Sequence, residues 1–137
     1  MPKEDYLLKY LEKLSRVVAA MLGLREKGFP ENALRLADET YNELLNVDLD
    51  TLSAMSVDDF DRIARKANYN STYLNALAGL TSETAYCYAA KDEILKMRLF
   101  SEKALLLYLL LNEKDKTFSF EREMIISDLK VMISQTK

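Results

Sequence analysis

Five aspartates, Asp48, Asp50, Asp58, Asp59 and Asp61, form the densest group of chemistry-bearing side chains in this chain. Clustered carboxylates can ligate Ca²⁺ or Mg²⁺ through oxygen, or present an acidic surface to a basic partner. Counted from Asp48, however, the sixth position of a calcium loop is Ser53 rather than glycine, and the twelfth is Asp59 rather than glutamate. Acids also favour the first turn of a helix because of its dipole. The cluster is therefore expected to be structural, with an acidic partner surface as the alternative.

Other candidates are sparse. Histidine is absent, which removes the commonest general base and the commonest transition-metal ligand. Cys87 is the sole cysteine, so Cys/His zinc sites cannot be assembled, and a nucleophilic thiol would lack its base. Cys87 reads as a small buried apolar residue. Gly23, Gly28 and Gly79 are scattered and begin no phosphate-binding loop. Tyr69, Tyr73, Tyr86 and Tyr88 could line a cleft, since tyrosine combines apolar area with a hydrogen-bonding tip, but filling between helices is the commoner use. No catalytic residue, metal or cofactor is expected.

From Leu36 to Asp61 eight acids occur with no Lys or Arg, whereas no segment concentrates basic charge. Affinity based on phosphate neutralisation has nothing to act through, so nucleic acid is not an expected partner. The longest apolar run, Ala104 to Leu111, falls far short of the ~20 residues that cross a bilayer, and no membrane partner is expected. Met1 to Asp5 is polar and no signal-like apolar run follows it, which points to a cytoplasmic, reducing location.

The elements that would position these side chains are helices. Only 3 Gly and 2 Pro punctuate 137 residues, too few for many short strands. A hydrophobic share of 49% suits one globular all-α domain spanning 1–137. Leu7, Leu11, Leu14, Val18 and Met21, widened by Leu8, Val17 and Leu22, predict a helix over 4–26. Gly28-Phe29-Pro30 then makes a corner into a helix over 30–46 that carries Ala33, Leu34, Ala37, Tyr41, Leu44 and Leu45. A turn or two of helix over 48–55 precedes Ser56, whose hydroxyl is placed to cap a helix over 57–67 burying Phe60, Ile63 and Ala64.

After the polar loop 68–71, a helix over 72–90 buries Leu74, Leu77, Ala78, Thr81, Ala85 and Tyr88, and its small residues would admit a close neighbour. The helix over 92–112 is apolar nearly all round: Met97, Phe100, Ala104, Leu107 and Leu111 form one stripe, and Leu95, Leu99, Leu106 and Leu109 a second. Two apolar faces imply a central helix or one shared with another chain. The second stripe is thus the candidate partner surface, covered either by the chain's own helices or by a two-fold copy. A last helix, capped by Thr117 or Ser119, should bury Met124, Ile125, Leu129 and Met132 with Ile133 beside them.

Two segments carry a family resemblance. Gly28-Phe29-Pro30-Glu31-Asn32-Ala33-Leu34 resembles the corner of a tetratricopeptide-like hairpin, and Ser101-Glu102-Lys103-Ala104-Leu105 is similar to the later part of its second helix. The corners near Gly28 and Asp92 lie about 64 residues apart, close to two repeats of roughly 34. The whole chain resembles a bacterial group of small tetratricopeptide-like proteins. That resemblance implies antiparallel helical hairpins in degenerate repeats and no activity; a plain helical bundle of the same six to seven helices is the alternative. The expected function is a non-catalytic module binding a protein or peptide, with self-association into a homodimer an added option. The rival is a small-ligand-binding protein or a carboxylate- and tyrosine-based enzyme with its site in a cleft.

Overall fold

The computed structural model describes residues 3–66 and 70–135, which hold seven α-helices and no strand. They are α1 (Lys3–Glu26), α2 (Pro30–Leu45), α3 (Leu49–Ala54), α4 (Val57–Lys66), α5 (Ser71–Ala90), α6 (Ile94–Lys114) and α7 (Phe120–Ile133). The fold is all-α, as the apolar periodicity requires.

Local chemistry explains most of the boundaries. Gly28 sits at φ 92°, a left-handed conformation that lets the Phe29 amide donate to the Leu24 carbonyl (2.8 Å) and the Gly28 amide to Arg25 (3.1 Å), closing α1 in a Schellman motif. Pro30 then opens α2. The corner between α5 and α6 repeats the motif without glycine: Asp92, at φ 60°, donates to Ala89, and Glu93 donates to Tyr88. Ser56, Asn70 and Ser119 cap α4, α5 and α7 by accepting from the amides of Asp59, Tyr73 and Arg122.

Helices α1 and α2 pack together, as do α5 and α6, and both connections are too short for anything but antiparallel neighbours. Helix α5 also packs against α1 and α2, while α7 lies on α6. Helix α6 also meets α3 and α4, so it is central, as its two apolar faces imply, while α5 carries the larger share of buried residues. Leu74, Leu77, Leu80, Cys87 and Tyr88 are buried on it together with polar residues. Thr81 and Thr84 are satisfied locally, donating back to the carbonyls of Leu77 and Leu80. The Tyr41 hydroxyl from α2 sits 3.0 Å from Thr84 and donates to Thr81, so the two helices are also joined by polar contacts. Phe100 of α6 completes an aromatic cluster with Tyr41 and Tyr88, the latter stacked at 5.5 Å.

Three expectations are corrected. On α7 it is Ile126 that joins Leu129 and Met132 in the core, and Met124 points outward, 55% exposed. On α1, Leu8 and Leu22 are exposed, Leu22 at a groove beside α5. Ile63 is only half-buried, at the edge of α4. Ala67, Asn68 and Tyr69 lie outside the described residues, as does the side chain of Leu7.

Candidate functional site

A groove of about 690 Å³ runs over the outer side of α5, walled by α1 and α7. Ala76 and Gly79 make its floor, and Leu14, Val18, Ala19 and Leu22 of α1 face Ile125 of α7 across it. The floor is low because α5 places small residues one turn apart on that side. A Cβ built at Gly79 would meet nothing within 4 Å, so the α5 backbone is open to the groove at that point.

Charged and aromatic side chains close one end. Arg25 reaches from α1 to Glu83, donating from Nε to Oε2 at 2.5 Å and from Nη2 to Oε1 at 3.2 Å. Glu83 is 5% exposed, and the Cys87 thiol, one turn on, also donates to it at 3.7 Å. The hydrogen bond to Glu83 raises the pKa of Arg25 further above its already high value. The guanidinium also lies 5.2 Å from the centre of the Tyr86 ring. Tyr86 in turn donates its hydroxyl to Asp128 of α7 at 3.2 Å. Burial, followed by the Asp128 charge, pushes the Tyr86 phenol above its ordinary range, so it stays protonated as a donor. Arg25, Glu83, Tyr86 and Asp128 thus brace α1, α5 and α7 against one another.

Burial raises the Cys87 thiol to about 12, with the Glu83 charge acting in the same direction. A thiol held protonated beside a carboxylate has no nucleophilic character at neutral pH. Of the other candidate tyrosines that are described, Tyr73 is buried with an unpartnered hydroxyl and Tyr88 is stacked on Phe100; the tyrosine that shares the groove with Tyr86 is Tyr108 of α6.

The aspartates are likewise separated. Asp48 caps α3 by accepting from the Thr51 amide at 2.7 Å, and hydrogen bonds to Thr51 lower its pKa. Asp50 and Asp58 lie exposed in the first turns of α3 and α4. Asp59 pairs with Arg62, and Asp61 with Arg65 at 2.9 Å. Asp48 and Asp50 border a polar recess of about 410 Å³ between α2 and the α5–α6 corner, where Lys91 lies 2.7 Å from Glu31 and 2.9 Å from Glu93. Among the described residues no three His, Cys, Asp or Glu side chains converge to hold a metal ion. No helix among the described residues is long and apolar enough to cross a membrane.

The second leucine stripe of α6 is divided. Leu99 and Leu106 are half-buried, whereas Leu95 (68%) and Leu109 (46%) remain exposed. Leu95 and Leu109 lie fourteen residues apart, about 21 Å along the helix, so they form no continuous patch.

Comparison with known proteins decides nothing further. No protein family, curated protein or solved structure matches the chain. The reading of the groove therefore rests on its geometry. Of its parts, the small residues of α5, the apolar stripe of α1 and Tyr86 as a cleft tyrosine were legible in the sequence; Arg25, Glu83 and Asp128 carry no local signal, because their partners are 42 to 58 residues away.

Proposed function

We propose that this chain is a non-catalytic helical interaction module, and that the groove between α1, α5 and α7 receives an amphipathic helical segment of a partner protein. The observation that carries this reading is the bare α5 backbone at Gly79 on the floor of a groove whose α1 wall is largely apolar and whose α7 wall adds Ile125 beside the polar Ser119, Glu121 and Arg122. Small residues let a second helix approach closely, and interaxial spacings of about 8–10 Å follow the size of the side chains at the contact. An apolar wall on α1 facing polar groups on α7 suits an amphipathic helix, whose i, i+3, i+4, i+7 anchors would lie against Val18, Leu22 and Ile125. Arg25 and Tyr86 offer that helix a polar end-stop.

The same reading treats the α1–α2 and α5–α6 hairpins as degenerate tetratricopeptide-like units and places the protein in the bacterial cytoplasm, where its buried, unpaired Cys87 would stay reduced. It is a reading of a site, since fold alone does not fix function.

The test is a displayed library of helical peptides selected on this protein and counter-selected on Gly79→Leu, which fills the floor. Peptides with apolar residues at helical spacing should be enriched on the wild type and lose at least tenfold in affinity on Gly79→Leu. Equal binding to both proteins, or enrichment of extended sequences only, would overturn the reading.

A further inference from the structure

We infer that the outer face of α7 is a self-association surface, on which a second copy of this chain docks antiparallel about a two-fold axis.

Helix α7 is apolar on two opposite sides. Ile126, Leu129 and Met132 point into the core. At 100° per residue, Phe120, Met124, Ser127 and Val131 fall within one narrow stripe on the far side. Phe120 is 70% exposed, Met124 55% and Val131 56%, and Phe118, just before the helix, is 75% exposed. Phe118 stands where a hydrophobic staple would begin, but the residue it would clasp is Glu123, so the ring is left in water. None of these four apolar residues lines the groove above.

The occupant is argued from area and from charge. Aromatic side chains bury on the order of 150–250 Å² each, so the patch offers roughly 500 Å² of apolar surface per copy. Two copies would bury about 1,000 Å², the lower limit for a specific interface, with flanking polar groups adding to it. The stripe is also symmetric along the helix. In an antiparallel pair centred between residues 125 and 126, Phe120 lies level with Val131 of the second copy and Met124 with Ser127, so large residues meet smaller ones.

Such an axis brings each flank of α7 against the same flank of its copy. On one flank stand Glu123 and Lys130, both exposed, and no ion pair engages either of them within the described residues. Two-fold pairing sets Glu123 of each copy beside Lys130 of the other, twice per dimer. On the opposite flank stand Glu121, which borders the groove, and Asp128, which the Tyr86 hydroxyl draws towards α5.

Sedimentation equilibrium of the full chain from about 5 to about 500 µM tests this. The wild-type mass should climb from 15.8 kDa towards twice that value. Met124→Glu should weaken association at least tenfold, and Glu123→Lys or Lys130→Glu alone roughly fivefold. The double swap Glu123→Lys/Lys130→Glu, which restores the pairing, should return to within about twofold of wild type. All three substitutions are at exposed positions, and thermal melts establish that each of the four variants is folded. A wild type of 15.8 kDa at every concentration, a Met124→Glu protein that associates like wild type, or a double swap no stronger than its single parents would each overturn the inference.

Discussion

Arg25 and Glu83 are 58 residues apart in the chain and meet through a two-pronged contact, Nε to Oε2 at 2.5 Å and Nη2 to Oε1 at 3.2 Å. The carboxylate is almost wholly buried and the guanidinium about a quarter exposed. The contact therefore ties α1 to α5 at the end of the groove, where neither charge could be removed without consequence for the other.

The two ends of that pair are unequal. Arg25→Ala strands an ionised carboxylate in a buried site and should cost about 2–3 kcal/mol. Glu83→Gln keeps a hydrogen-bond acceptor and leaves a partly solvated guanidinium, so its cost should be about 1 kcal/mol. Thermal or urea unfolding of both variants checks the order; a larger loss for Glu83→Gln would contradict it.

Gly79 lies inside a helix, where glycine is conformationally costly, and its missing side chain faces open space. Gly79→Ala should raise stability by about 0.5–1 kcal/mol. Urea denaturation measures it. A destabilised Gly79→Ala would mean that the floor of the groove is closed.

Two buried groups give opposite pH dependences. The folded Cys87 thiol has its pKa raised to about 12 from 9.0, so its contribution to stability is complete below about pH 9 and lost as pH rises towards 12. Lys103 is fully buried, its amine lacks any hydrogen-bond partner, and it lies 5.6 Å from the Phe100 ring centre. Burial lowers its pKa below 10.5, so the unfolded chain holds the proton more tightly and stability rises with pH towards 10.5. Lys103→Met should raise stability at pH 7 by about 1–2 kcal/mol and remove that alkaline gain. Cys87→Ala should remove the opposing loss. Melting temperatures from pH 7 to 11 distinguish the two slopes.

Asp48→Ala should cost about 1 kcal/mol through loss of the α3 cap, and Asp58→Ala almost nothing. Because Asp48 has a lowered pKa, its contribution is present above the unfolded value near 3.8 and disappears as pH falls through the folded one. Equal effects of the two substitutions would point to a shared role for the acids.

Local signals made most of the helix boundaries readable. Gly28 and Pro30 mark the first corner, and Ser56 and Asn70 compete for backbone amides just where α4 and α5 begin. Apolar periodicity placed Leu74, Leu77 and Tyr88 in the core correctly, because α5 is covered on that side by its neighbours. The same rule failed on α7, which is apolar on two faces: nothing local distinguishes Met124 from Ile126, and contact with α6 decides between them. The aspartates read as a cluster because they are close in sequence, but α3 and α4 point them along different helices. The groove as a whole was not readable, although Tyr86 and the small residues of α5 that line it were legible. It is a gap between α1 and α7, and its bracing residues come from distant positions whose pairing only the packed helices determine.

The most direct test of the groove is nuclear magnetic resonance of the labelled protein titrated with a helical peptide obtained by the selection above. The account predicts that the largest shifts fall on the amides of residues 76–86 of α5, with smaller ones on residues 15–25 of α1 and around Ile125 of α7. Shifts centred instead on Lys91, Glu31 and Asp48, or dispersed with no focus on α5, would contradict it.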